Sequence, residues 1–121
     1  MNYHIKSWKD IKIGYKTFAL DNNGELTSWA ILYKRLKYKY KEWTVRENNW
    51  GPLALFELYS DAVFFAEGTK CLNNCIQKVL YIPSSDTTLW QTHEDNSVSG
   101  FDPLGVSILQ KTIFADAIYV L

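Results

Sequence analysis

The most restrictive feature of this sequence is the alternation of aromatic and basic residues over positions 33–46, which read Y-K-R-L-K-Y-K-Y-K-E-W-T-V-R. Leu36, Tyr38 and Tyr40 occupy every second position. The residues on either side of them are basic, namely Arg35, Lys37, Lys39 and Lys41. Because successive side chains of a strand point to opposite faces, the alternation predicts a strand with one buried aromatic face and one open cationic face.

The alternation changes phase at Glu42, so that Trp43 and Val45 continue the apolar set one residue late. One extra residue in a strand produces such a change, and we therefore expect a β-bulge at Glu42. The cationic face has two interpretations. It is either a ledge that receives an anion, such as a phosphate, beside a stacking aromatic ring, or a solvated face whose lysines protect an edge strand against aggregation.

The length of 121 residues predicts a single domain, residues 1–121, whose core needs no disulfide. Lys plus Arg and Asp plus Glu both total 13, so the net charge is zero. The charges are unevenly distributed, since residues 1–46 contain ten Lys or Arg and four acids, whereas residues 47–121 contain three Lys and nine acids. Zero net charge disfavours non-specific nucleic-acid binding, and the two halves can attract one another within one chain or between subunits.

The rest of the chain predicts an α+β domain. Strands are expected at residues 11–20, 26–32, 53–59, 77–82 and 112–121, with a tight turn at 21–24. A helix at 62–67, preceded by Ser60 as N-cap, and one helical turn at 72–76 are also expected, and residues 86–103 should form a long irregular loop. The expected fold is a mainly antiparallel sheet of about five to six strands with one or two short helices. The expected core residues are Phe18, Ile31, Leu55, Phe65, Val79 and Ile118.

Catalytic and metal-binding motifs are missing from the sequence, which has no G-x-S-x-G, H-E-x-x-H, Walker A or G-x-G-x-x-G pattern. Cys71 and Cys75 have a C-x-x-x-C spacing that is neither a redox motif nor a zinc knuckle, so free thiols are expected. His93 precedes Glu94 and Asp95, which could orient its imidazole as a general base. We expect no metal, no cofactor and no enzymatic activity, with a small nucleotide hydrolase or lyase using His93 as one alternative.

Binding is favoured over catalysis, because cations and flat side chains occur near one another. A nucleotide-like ligand needs both, since its phosphates take charge-assisted donors and its base stacks on an aromatic ring. The expected ligand-binding residues are Lys39, Lys41, Trp43, Arg46, Trp50, Trp90 and His93. We expect the ligand at the corner formed by Trp43 and Arg46, closed by residues 86–103 or by a second subunit. Core packing is the alternative role for Trp43.

Four segments resemble small phage and prophage proteins. They read G-Y-K-T-F-A-L-D-N-N-G-E-L-T-S-W, S-D-A-V-F-F-A, K-V-L-Y-I-P and T-I-F-A-D-A-I-Y-V-L. The ends of such proteins often read Gly-Thr-x-x-Ala-Asp, and Lys111 stands here in the Gly position. In size and layout the chain is similar to the anti-Thoeris signal sponges, a family of viral proteins.

This resemblance implies a protein that sequesters a cyclic ADP-ribose signal made by bacterial TIR-domain defence enzymes, in oligomers whose pockets lie between subunits. No site residue is carried over from the family. No arginine follows Arg46, so a pyrophosphate site in the later chain would use lysine or backbone donors. The expected function is therefore non-enzymatic sequestration of a small anionic nucleotide, with a protein–protein module that inhibits a host enzyme as the alternative.

The expected assembly is a homodimer or higher homo-oligomer, because the apolar last residues and the opposed charge halves favour self-association. The N-terminus is polar and no apolar run approaches the ~20 residues of a membrane span. We therefore expect no membrane contact and a cytoplasmic location, in the host cytoplasm for a viral protein.

Overall fold

The computed structural model describes residues 8–28, 36–46, 52–69, 74–92, 98–101 and 111–121. Over these ranges the chain forms nine strands and one helix. The strands are β1 (Lys12–Leu20), β2 (Leu26–Thr27), β3 (Lys37–Tyr38), β4 (Trp43–Val45), β5 (Leu53–Phe56), β6 (Asn74–Pro83), β7 (Leu89–Thr92), β8 (Val98–Phe101) and β9 (Thr112–Val120). The helix α1 spans Tyr59–Thr69. The mainly antiparallel sheet is confirmed, but the protein is richer in strand than expected.

Seven of the strands form one sheet that closes on itself as a small barrel. The strand order is β3-β2-β1-β5-β9-β4, and β6 pairs with both β1 and β9. The strands β1, β6, β9 and β5 therefore form a closed ring, in which all neighbours are antiparallel. β7 and β8 form a separate two-stranded hairpin. Closure removes the free edges along the paired parts of these strands, which protects them from pairing with other chains.

The interior of the ring is an apolar core. Phe18, Leu55, Val79 and Ile118 are fully buried in it, which confirms four of the expected core residues. Successive residues of each strand alternate between this interior and the outer face. The predicted core residue Ile31 lies outside the described residues.

The helix α1 covers the outer face of β1 and β5. Ala62 is fully buried, the Phe65 ring lies 5.4 Å from the Phe56 ring, and Thr17 Oγ1 donates a hydrogen bond of 2.9 Å to the Ala62 carbonyl. Ala62 and Phe65 therefore face the sheet. The helix is longer than expected, because Ser60 and Gly68 lie within it. Over the described residues, no helix has the length and apolar character needed to cross a membrane.

The turn between β1 and β2 has the predicted chemistry. Asp21 Oδ1 accepts hydrogen bonds from the backbone N–H groups of Asn23 (2.8 Å) and Glu25 (2.9 Å). Gly24 has a φ of 76°, which side chains disfavour and glycine adopts freely. The strands at 11–20, 77–82 and 112–121 are confirmed as β1, β6 and β9.

The single strand expected over 33–46 is wrong, although its alternation holds from Leu36 to Lys39. Tyr38 is buried in β3, which pairs with β2, but Tyr40 is exposed. The chain then turns at Lys41, whose φ is 59°, and continues as β4 on β9. The break arises because this segment leaves β2 and joins a different part of the closed sheet, which one straight strand cannot reach.

The β-bulge expected at Glu42 is also wrong, and an irregularity lies elsewhere. Between β6 and β9 the register shifts, since Ile82 pairs with Ala117 whereas Pro83 pairs with Ala115. Asp116 is therefore the extra residue on β9. Its position coincides with the change of neighbour along β9, from β5 at Ala115 to β4 at Ala117.

Three smaller expectations are corrected as well. The strand at 53–59 ends at Phe56, and α1 begins at Tyr59. The helical turn expected at 72–76 is wrong for the described residues 74–76, because they belong to β6. Residues 86–103 are not a wholly irregular loop, because they contain the β7–β8 hairpin with Leu89 opposite Phe101. Long-range pairing outweighs local propensity in these segments.

Candidate functional site

The segment Lys39–Lys41, which we term the lysine turn, is fixed by β9. Tyr40 forms a parallel bridge with Val120, and the Lys41 N–H donates to the Val120 carbonyl at 2.7 Å. Lys39 and Lys41 are both exposed. The turn therefore presents two ammonium groups from a backbone that is held in place by the sheet.

An aromatic cluster lies directly after this turn, and we term it the aromatic corner (Trp8, Trp43 and Tyr119). Trp43 pairs with Tyr119 across β4 and β9, and their ring centroids are 5.4 Å apart. The Trp8 ring meets Trp43 edge-on at 5.2 Å. Trp43 is half-buried and also packs against the buried Ile82 and Ala117. Trp43 therefore packs against buried residues and is still partly exposed.

Arg46 directly follows β4 and is buried in an ion-pair cluster. Its guanidinium lies 3.2 Å from Asp86 Oδ2 and 3.4 Å from Asp116 Oδ1, with Ser84 Oγ at 3.5 Å. The Arg46 backbone N–H also donates to the Asp116 carbonyl at 2.8 Å. One guanidinium between two carboxylates gives a net charge of −1 when all three are ionised, which repels an anionic ligand. The cluster can hold the bulge at Asp116 and the chain before β7 together.

The chain before β7 is shaped by Asp86. Its N–H donates to Ser84 Oγ at 3.1 Å, and its Oδ1 accepts from the Thr88 N–H at 3.1 Å. Asp86 thus joins Arg46 to the base of the β7–β8 hairpin. Trp90 lies on β7 opposite Gly100. Trp50 and His93, which were also predicted to bind the ligand, lie outside the described residues.

Lys16 is buried, which was not predicted from the sequence. This side chain points into the ring next to Phe18 and is only 6% exposed. Its ammonium donates to the Ala54 carbonyl and lies 5.7 Å from the Phe18 ring centroid and 5.5 Å from that of Tyr38. Burial lowers the pKa of Lys16 to about 8 and raises that of the Tyr38 phenol. The sequence could have indicated this burial, because Lys16 and Phe18 are two positions apart on the predicted strand and therefore share one face.

No cluster of three His, Cys, Asp or Glu side chains able to hold a metal ion occurs in the described part of the chain. Cys75, which lies on β6 rather than on a helix, is a free thiol and accepts a hydrogen bond from Gln77 Nε2 at 2.9 Å. Cys71 lies outside the described residues. Neither a protein-family model nor a curated protein or solved structure matches the chain.

Proposed function

We propose that this protein binds a small anionic nucleotide at the aromatic corner and the lysine turn and sequesters it without chemical change. A cyclic ADP-ribose isomer is the candidate that follows from the likeness to the anti-Thoeris signal sponges. Sequestration of such a signal would block the bacterial defence system that depends on it. The observation that supports the proposal is that exposed Lys39 and Lys41 precede Trp43 on a backbone fixed to β9.

The chemistry of the two groups suits the parts of a nucleotide. Lysine ammonium groups attract phosphates as point charges, and an aromatic face stacks on a base with about 1–3 kcal/mol per stack. The backbone of the turn is already ordered by the Lys41 N–H bond to Val120, which lowers the entropy cost of binding. In this proposal Arg46 acts through its ion-pair cluster with Asp86 and Asp116, and the ligand is contacted by the exposed lysines.

Isothermal titration calorimetry with cyclic ADP-ribose isomers and cyclic dinucleotides tests the proposal. Trp43→Leu keeps an apolar contact with Ile82 but removes the ring, and it should weaken binding about tenfold, since ~1.4 kcal/mol is a factor of ten. Lys39→Gln should also weaken it, with the loss greatest at low salt. The matched control is Lys111→Gln, an exposed lysine about 26 Å from Tyr119 along β9 at ~3.3 Å per residue. No heat with any of these ligands would refute the proposal.

Lys41 allows binding to be separated from folding. Its φ of 59° is unfavourable for a side chain, so Lys41→Gly should raise the free energy of unfolding by up to about 1 kcal/mol. The same variant loses one ammonium group and should bind the nucleotide more weakly. Urea unfolding and calorimetry on one preparation measure both effects. Unchanged affinity in this variant would exclude Lys41 from the site.

A second candidate function is inhibition of a host enzyme through a protein–protein contact. The observation that favours it is the exposure of Leu58 (56%) and Phe64 (57%) at α1, since exposed apolar side chains are common at interfaces. A pull-down from bacterial lysate should then return a stoichiometric host enzyme with the wild type and lose it with Phe64→Ser. Equal recovery with both proteins would contradict this function.

A further inference from the structure

The outer face of the closed sheet carries a continuous row of apolar side chains across four strands. Ile13 on β1 pairs with Leu80 on β6, and Leu80 pairs with Tyr119 on β9. Tyr119 in turn pairs with Trp43 on β4. The row spans three inter-strand spacings, about 15 Å. Ile13 is 54% exposed, so the β1 end of this row is open to solvent.

The row continues beyond the sheet at both ends. At one end Trp8, 44% exposed, contacts Trp43. At the other end Tyr15, two residues after Ile13 on the same face, contacts Tyr59 at a ring distance of 5.6 Å, and Tyr59 is 56% exposed. We term this surface the outer strip. It consists of Trp8, Trp43, Tyr119, Leu80, Ile13 and Tyr59.

We propose that the outer strip is the interface of a symmetric homodimer, in which two copies pack strip against strip in antiparallel orientation. The strip and its neighbours Ile11 and Leu121 together contain five exposed side chains, each with on the order of 100 Å² of solvent-accessible surface. Each half-buried side chain of the strip adds roughly 50 Å². The total of about 700 Å² per copy approaches the ~800 Å² per partner of a standard stable interface. A monomer that exposes a patch of this size would be unusual.

The charges at the two ends of the strip determine the orientation. The Trp8 end carries three exposed lysines and two exposed acids, hence a net charge of 3 − 2 = +1. These residues are Lys9, Lys39, Lys41, Asp10 and Glu42. The Tyr59 end carries Glu57, Asp61 and Glu67 together with the exposed Lys78, which pairs with Tyr15, and this gives 1 − 3 = −2.

A twofold axis through the strip brings the positive end of one copy against the negative end of the other, twice. This is the arrangement that an isologous interface requires, since each contact occurs in two equivalent copies. A parallel arrangement would place like charges together and is disfavoured. The nucleotide of the proposed function would compete with the partner copy for the aromatic corner, which is part of the strip, and for Lys39 and Lys41. The dimer is therefore tested without nucleotide, and the two proposals can fail separately.

Sedimentation velocity from about 1 to about 100 µM measures the assembly. The wild type should approach twice the chain mass of 14.1 kDa. Ile13→Lys places a charge within the strip, on a side chain that is already half exposed, and should raise the dimer dissociation constant at least tenfold without loss of folded structure by circular dichroism. The control Lys111→Glu, outside the strip, should leave the constant unchanged.

A charge-reversal pair tests the orientation. Lys9→Glu/Lys39→Glu alone and Glu57→Lys/Glu67→Lys alone should both weaken the homodimer, because each places like charges in contact. An equimolar mixture of the two variants should restore dimers, since both contacts then join opposite charges. A wild-type monomer at the highest concentration overturns the proposal, and the strip would then be a contact surface for a different protein. An Ile13→Lys dimer of unchanged stability, or a mixture that stays monomeric, overturns it too.

Discussion

Replacing Lys16 with methionine should stabilise the protein at pH 7 and remove a pH dependence of its stability. The Lys16 side chain is 6% exposed inside the ring, and burial lowers its pKa from 10.5 to about 8. Since one pKa unit corresponds to about 1.4 kcal/mol, keeping this ammonium charged in the folded protein costs about 3 kcal/mol. Methionine has a similar length and no charge.

The sign follows from the protons bound in each state. Between pH 8 and pH 10.5 the unfolded chain holds the Lys16 proton and the folded chain releases it, so the free energy of unfolding rises with pH across this window. Below pH 8 Lys16 is protonated in both states, so the folded protein bears the full cost of burying the ammonium. Methionine removes that cost but also loses the hydrogen bond to the Ala54 carbonyl, about 1 kcal/mol. The expected net stabilisation at pH 7 is about 2 kcal/mol, and it should disappear as the pH approaches 10.

Urea unfolding of the wild type and Lys16→Met at several pH values between 7 and 10 measures the difference, in which contributions of the tyrosines cancel. Lys12→Met is the matched control, because Lys12 lies on the same strand and is exposed. Parallel pH profiles for the wild type and Lys16→Met would refute the reasoning, since they would show that Lys16 keeps its ordinary pKa in the folded protein.

Two further predictions concern packing and the ion-pair cluster. Gly14→Ala should cost about 1–3 kcal/mol in urea unfolding, because the added Cβ would lie 2.9 Å from the Phe56 carbonyl oxygen, which is backbone and cannot move aside; a loss below 0.5 kcal/mol would contradict this. Arg46→Met should cost about 2–3 kcal/mol, since Asp86 and Asp116 lose the charge that offsets theirs. The double variant with Asp116→Asn should recover part of that loss, and a further loss instead would show that Arg46 acts through packing alone.

Much of the sheet was predictable because its signals are local. The turn at Asp21 uses a side chain that bonds its own backbone, and Gly24 adopts a positive φ. Phe18, Val79 and Ile118 are buried as expected, because each lies on a strand with an apolar face. The candidate site was only partly predictable, since the exposure of Lys39 and Lys41 follows from alternation but the ring contacts of Trp43 with Trp8 and Tyr119 do not.

Arg46 shows why the remainder could not be read from the chain. It was expected to contact a ligand, as the last cation of a basic segment, yet its partners Asp86 and Asp116 lie 40 and 70 positions away. No local pattern connects such residues, because their contact depends on which strands are neighbours. The same holds for the break at Lys41, which arises where the chain passes from β2 to β9.

The sequence by itself determined the mainly antiparallel sheet and the alternation of buried and exposed residues, because the two faces of a strand follow from backbone geometry alone. Only the tertiary structure decided which of the two faces is the interior of the closed ring at each position. That choice buries Lys16, leaves Ile13 and Tyr59 open on the outer strip and encloses Arg46 between two carboxylates. Closure of the sheet is the physical reason, since it gives every strand an inside and an outside that depend on all the other strands.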